Sequence, residues 1–247
     1  MMGDIQETDY ALLPITKAAG AVVEITQHQG VIINGKIKAV LTEDPWSKTG
    51  TIAYYNQENR LLLEEQGWHG ALNLYARKFK PILGGDYRLT VSFESQEEEK
   101  LFGMGQYQQE VMDLKYCSLE LAHRNSQASV PFLLSSRGYG FLWHNPAVGK
   151  VTFGKNVTQW ESYSTKQLDY WITAGDTPAE IEEAYAEATG KVPMMPEYGL
   201  GFWQCKLRYW NQEQVLNVAR EYKKRNISFR CHSDRFFSLA KNGGFPV

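Results

Sequence analysis

Three residues near the carboxyl end of the chain, Cys231, His232 and Asp234, are of the types that bind metal ions or act as nucleophile and base. A structural zinc site needs four ligands, and a catalytic thiol needs a base that is itself held in place. The spacing around this cluster supplies neither a full ligand set nor an oriented base. We therefore expect no metal site and no cofactor.

Two further ligand classes are disfavoured by sequence. Gly103 and Gly105 could begin a dinucleotide-binding loop, but no third glycine and no helix start follow them. The chain has a formal net charge of -2 and 22% charged residues, which implies no basic surface able to neutralise several phosphates. We expect no nucleotide and no nucleic acid as partner.

Aromatic residues make up 13% of the chain, with seven Trp and fourteen Tyr. Aromatic side chains favour strands, so they would fill a β-sheet core. They also offer flat faces on which the apolar side of a sugar ring can stack while its edge groups form hydrogen bonds. Composition leaves both interpretations open.

Residues 20–175 have the pattern of an antiparallel β-sandwich, with short apolar stretches separated by turn residues. The clearest strand covers 87–93, where large apolar residues alternate with Arg, Thr and Ser. Asn34-Gly35 predicts a tight hairpin turn, and 135–138 predicts a longer one.

Helical signals begin after residue 175. Thr177 can cap a helix that starts at Pro178, and Glu180 can bond back to the cap. The prolines within 191–196 exclude helix there, so we place a domain junction in that segment.

The last predicted elements are a short strand over 198–204 and a second helix capped by Asn211, with Gln214 at the capping-box position. A strand followed by such a helix is one βα unit. Its apolar face is buried only when further units follow.

No stretch reaches the roughly 20 apolar residues of a membrane helix. The first ten residues carry three acidic side chains and lack the apolar centre of a secretory signal. The three cysteines, Cys117, Cys205 and Cys231, are too scattered for a disulfide framework. We expect a cytoplasmic protein that does not bind a membrane.

Three segments together resemble glycoside hydrolase family 31, which contains α-glucosidases and α-xylosidases. They are F-G-M-G-Q at 102–106, V-P-F-L-L-S-S-R-G-Y-G at 130–140 and P-E-Y-G-L-G-F-W-Q at 196–204, and they occur in the family's order. The resemblance extends over nearly the whole chain as far as Ile227. It implies a mainly β fold, with a galactose-mutarotase-like sandwich followed by the first βα unit of an incomplete (β/α)8 barrel.

Within the family the substrate site lies at the carboxyl ends of the barrel strands. The resemblance gives seven candidate sugar-binding residues: Phe202, Trp203, Gln204, Arg208, Tyr209, Asp113 and Asn125. The first three would lie at the rim of the site for the cleaved sugar, the next two in the loop above it, and the last two on sandwich loops. Packing between barrel and sandwich is the alternative for the barrel residues, and an ordinary surface loop is the alternative for the other two.

No catalytic residue is expected within this chain. The family's nucleophile is an aspartate in a motif resembling K-x-D-x-G-E on the fourth barrel strand, and its general acid is an aspartate after a later strand. Neither motif occurs in this sequence. Retaining hydrolysis needs two carboxylates about 5 Å apart, one to attack and one to protonate.

The resulting expectation is a truncated retaining α-glycoside hydrolase of carbohydrate metabolism, of the α-xylosidase or α-glucosidase type and inactive alone. Its full-length form would act on an α-linked oligosaccharide or xyloside, and the segment 201–204 favours the xyloside. A carbohydrate-binding β-sandwich module without catalysis is the alternative. The oligomeric state is left open.

The domain boundaries follow from the same reasoning. We expect the sandwich at 1–175, a linker helix and Pro-rich junction at 176–195, the barrel start at 196–227 and an out-of-frame tail at 228–247. The tail is polar where a barrel needs an apolar strand. Permitted codons for it, read one base later, give P-L-D-V-I-V-I-D-F-F-H-W, an apolar strand resembling the family's second barrel strand, so we expect a frameshift near Ile227.

Overall fold

The computed structural model describes residues 10–14, 20–44, 49–67, 75–206, 208–227 and 231–234. The chain divides into two compact units, 1–191 and 192–247. The first contains antiparallel sheets and one α-helix, and the second contains a parallel strand pair and one α-helix among the described residues. The predicted mainly β fold is confirmed.

The first sheet is an antiparallel meander of five strands in chain order. These are β1 (Val22–Ile25), β2 (Gln29–Asn34), β3 (Ile37–Glu43), β4 (Gly50–Tyr55) and β5 (Leu61–Glu64). The predicted hairpin between β2 and β3 is confirmed, with Asn34 paired to Ile37. Its turn residues are Gly35, at φ 57°, and Lys36, one position later along the chain than the predicted pair.

Nine further strands form the other two sheets of the first unit. They are β6 (Arg77–Pro81), β7 (Tyr87–Glu94), β8 (Leu101–Gln106), β9 (Ser118–Leu121), β10 (Ala128–Ser135), β11 (Tyr139–Leu142), β12 (Gly149–Phe153), β13 (Val157–Thr165) and β14 (Trp171–Ala174). One sheet has the order β6-β7-β13-β12-β9 and the other β14-β11-β10-β8. The longer predicted turn is confirmed as the β10–β11 hairpin, where Ser135 pairs with Tyr139.

The core lies among these three sheets and is rich in aromatic rings. β7 buries Leu89, Val91 and Phe93, as its alternating sequence predicts. Trp143 stacks on Trp160 with ring centres 5.7 Å apart, and both are almost fully buried. The core interpretation of the aromatic residues therefore holds for these sandwich residues.

The helix predicted after residue 175 is α1 (Pro178–Thr189), capped by Thr177, whose side chain accepts the backbone N–H of Glu180. The Glu180 carboxylate does not bond back to the cap residue. It accepts the N–H of Asp176, one residue earlier, at 3.0 Å, and also binds the Lys36 ammonium at 2.6 Å. The lysine, supplied by the β2–β3 turn, gives the carboxylate a charged partner.

The second unit contains a 3-10 helix (Glu197–Leu200), β15 (Trp203–Lys206), α2 (Gln212–Lys224) and β16 (Cys231–Asp234). The strand predicted over 198–204 is wrong in its first half. There the Gly199 N–H donates to the Pro196 carbonyl at 2.8 Å and closes a helical turn instead. The strand β15 itself begins at Trp203.

The predicted tail at 228–247 lies outside the described residues except for β16. That segment pairs in parallel with β15, from Trp203 opposite Cys231 to Lys206 opposite Asp234. The described part of the unit is thus β-α-β, one strand more than the predicted βα unit. No helix among the described residues is long and apolar enough to cross a bilayer.

Candidate functional site

The carboxyl end of β15 is the candidate site, because β15 and β16 run parallel and are joined through α2. In such units the strand ends and the loops after them form one edge, which is where (β/α)8 barrels bind their substrates. The loop that follows β15 leads directly to Asn211, the N-cap of α2. Arg208, Tyr209 and Trp210 occupy this loop.

One face of β15 packs against α2. The Tyr222 hydroxyl of α2 donates to Gln204 Oε1 at 2.6 Å, and the ring of Phe202, just before β15, stacks on the Tyr222 ring with centres 5.9 Å apart. Gln204 Nε2 donates to the Tyr209 hydroxyl at 3.4 Å. Phe202 and Gln204 are therefore directed toward the helix layer.

The other face of β15 carries Trp203 and Cys205, because successive strand residues point to opposite sides. Trp203 Nε1 donates to the Gly199 carbonyl at 3.0 Å, which holds the indole against the preceding turn. In a closed (β/α)8 barrel, the strand face opposite the helices lines the interior. Trp203 and Cys205 thus occupy the positions that face a barrel interior.

The loop after β15 holds two side chains in different settings. Tyr209 is only 6% exposed, and its ring centre lies 5.7 Å from the Lys206 ammonium. It is therefore a packed residue of this unit. Arg208 places its guanidinium 4.9 Å from the centre of the Trp210 ring. Trp210 was missed by sequence reasoning, although an aromatic residue directly before a helix cap at a strand end was a usable signal.

The two candidates from the sandwich belong to the first unit. Asp113 Oδ1 accepts the backbone N–H groups of Leu101 and Lys115, both at 3.0 Å, so this carboxylate fixes a loop to β8. Asn125 is exposed in the tight turn where Arg124 and Gln127 pair.

Lys115, whose backbone N–H binds Asp113, and Glu99 are buried polar residues. The Lys115 ammonium donates to Ser95 Oγ at 2.7 Å, and burial lowers the pKa of Lys115. Glu99, also buried, accepts the Tyr139 hydroxyl at 2.7 Å, and burial raises the pKa of that tyrosine well above its ordinary value. The satisfied, internal partners of these groups are typical of structural support rather than of a reacting site.

The chain is similar to several known proteins. A sequence model of a protein family, described as "Glycosyl hydrolases family 31 TIM-barrel domain", matches residues 192–233 of this chain. A protein of Pseudescherichia vulneris, described as uncharacterized family 31 glucosidase ORF2, is 51% identical over 228 residues, which cover 85% of this chain and 42% of that protein. An α-xylosidase of Saccharolobus solfataricus is 32% identical over 150 residues, 57% of this chain and 20% of that protein.

The chain is also similar to solved structures of other proteins. A GH31 α-xylosidase from a soil metagenome, complexed with xylose, has a TM-score of 0.82 and 48% identity, covering 90% of this chain and 34% of that one. The α-xylosidase of Xanthomonas citri, at 16% identity and a TM-score of 0.77, shows likeness of fold. This chain spans less than half the length of these relatives and corresponds to their N-terminal part.

Proposed function

This chain belongs to glycoside hydrolase family 31, and from that premise we propose that it forms the N-terminal sandwich and the first βα unit of the barrel of a retaining α-glycosidase. The observation that carries the proposal is the β15-α2 unit, which follows the sandwich along the chain and lies within the segment matched by the family's barrel model. A carbohydrate-binding sandwich alone would have no use for such a unit.

The substrate we propose is an α-linked oligosaccharide or xyloside, with α-xylosides favoured. Support comes from the similarity to proteins named α-xylosidase and to an α-xylosidase solved with xylose. The roles of the seven candidate residues stay predictions. For Gln204 and Phe202, packing against Tyr222 favours an indirect role, as supports of the loop that begins at Arg208.

The domain division into 1–175, 176–195, 196–227 and 228–247 is likewise proposed, as is a frameshift near Ile227. Sequencing the gene tests the latter, since a one-base slip there must open a frame that encodes K-x-D-x-G-E. The cytoplasmic location stays a prediction from sequence.

The chain by itself should not hydrolyse glycosides, because the motifs for the nucleophile and the general acid do not occur in its sequence and binding groups cannot replace them. We expect no release of p-nitrophenol from aryl α-xyloside or aryl α-glucoside by the purified chain. Turnover that co-purifies with the chain and is lost when one of its own carboxylates is replaced would refute the proposal.

A further inference from the structure

His144, which follows β11, is a buried histidine whose ring has two polar neighbours. Only 1% of its side chain is exposed, and the Asp169 carboxylate lies 3.9 Å from Nε2. The same nitrogen accepts the backbone N–H of Tyr10 at 3.3 Å. A ring nitrogen that accepts an N–H carries no proton itself, so the bond to Tyr10 requires the neutral ring with its proton on Nδ1.

Tyr10 belongs to the N-terminal segment 10–14, which is attached to the sandwich at two points. The first is His144, whose ring centre lies 5.8 Å from that of Tyr10 in addition to the hydrogen bond. The second is the Leu13 N–H, which donates to the Ala188 carbonyl of α1 at 2.8 Å. Only the first attachment includes a side chain that changes its charge near neutral pH.

A polar cavity of about 250 Å³ lies at the first attachment and is lined by both Tyr10 and His144. Its charged lining residues are Asp86, just before β7, and Lys166, just after β13, and they are of opposite sign. A cavity of this size and polarity holds water, which can deliver a proton to the ring. Asp169, just before β14, is then the carboxylate that already lies near Nε2.

We propose that His144 is a proton-operated latch that holds the N-terminal segment at Tyr10 and releases it in mild acid. Protonation makes Nε2 a donor, and two donors cannot pair, so the bond to the Tyr10 N–H is lost. The charged ring pairs with Asp169 instead, which gives the switch a second stable arrangement. The Leu13 attachment to α1 contains no titrating group and persists, so the release is local and leaves the sandwich folded.

Exchange of backbone amide protons with water, measured by nuclear magnetic resonance on the full 247-residue chain, tests the latch. Rates are corrected for the pH dependence of exchange in an unstructured peptide. Between about pH 7.5 and about pH 5.5, the range that spans histidine protonation, protection of the Tyr10 amide should fall about fivefold or more, as for loss of one hydrogen bond. Protection of the Leu13 amide should stay the same.

Three variants identify the group responsible. His144→Gln keeps an acceptor oxygen that does not titrate, so Tyr10 protection should become independent of pH. Asp169→Asn should move the release to lower pH, because the protonated ring loses its charged partner. His28→Gln is the matched control at an exposed histidine paired with Glu43, and it should behave as the wild type does.

Two results in the wild-type chain alone would overturn the latch, so the test does not depend on the folding of a variant. One is Tyr10 protection that does not change with pH. The other is an equal loss of protection at Tyr10 and Leu13, which would mean that the whole segment or the sandwich opens in acid. In a folded His144→Gln chain, an undiminished pH response at Tyr10 would overturn it as well.

Discussion

Glu65 is a buried carboxylate that links sheets of the sandwich. Its side chain has no exposed surface, its Oε2 accepts the Ile52 N–H at 3.0 Å, and Arg77 lies 3.1 Å from the same oxygen. Among the described residues, its Oε1 has no hydrogen-bond partner. Burial raises the pKa of Glu65, and the opposing attraction of Arg77 does not cancel that effect.

This raised pKa predicts a pH dependence of stability. The folded chain holds a proton on Glu65 more tightly than the unfolded chain does, so the free energy of unfolding falls as pH rises from the ordinary carboxyl range through the raised pKa. Glu65→Gln should remove that fall, since the amide does not titrate. Urea unfolding of both proteins at a series of pH values measures this change in the free energy of unfolding.

Glu58→Gln, at an exposed turn, is the control for this series. Its unfolding curve should follow the wild type at every pH. If wild type and Glu65→Gln also gave parallel curves across the acidic range, the assignment of Glu65 would be contradicted.

At the scale of elements, the sequence predicted periodic features well and local hydrogen bonding less well. The caps Thr177 and Asn211 were found because their residue types and spacing are specific. The returning side chains of Glu180 and Gln214 each bind the N–H one residue before the cap. The Glu180 carboxylate also binds Lys36, a residue distant in sequence that no local pattern contains.

The orientation of β15 shows the same limit. A strand of alternating residues has two faces, and the sequence alone did not tell which one packs on α2. The contact between Tyr222 and Gln204 decides it. The contact between Arg208 and Trp210 was not predictable from the sequence either, because it depends on the left-handed backbone conformation at Arg208.

The glycines of the F-G-M-G-Q segment have a testable role in β8. Gly103 has φ 99°, and an added Cβ would lie 2.6 Å from the Phe132 carbonyl oxygen of β10. Gly84 has nearly the same φ, 100°, with nothing within 4 Å of an added Cβ. The pair therefore separates backbone strain from steric clash.

Gly84→Ala should destabilise the chain by about 1–3 kcal/mol through the left-handed backbone alone. Gly103→Ala should cost about 1–3 kcal/mol more, because β8 and β10 must move apart. Denaturant unfolding of both variants measures the difference. Equal losses would mean that close strand packing is not what Gly103 provides.

At the scale of the whole molecule, fold and family were predictable because three separated segments occur in one order. What the sequence did not predict is β16, since Cys231–Asp234 is polar yet pairs with β15. Apolar periodicity could not reveal a strand made of polar residues.

The central claim is that this chain supplies the N-terminal part of a family 31 glycosidase, and complementation tests it most directly. The chain is mixed with the part of the Pseudescherichia vulneris relative that follows its matched segment, and turnover of aryl α-xyloside and α-glucoside is measured. The relative's own N-terminal part serves as the positive control. We predict turnover by the mixture and none by either part alone, whereas a mixture that stays inactive while the control pair is active would contradict the claim.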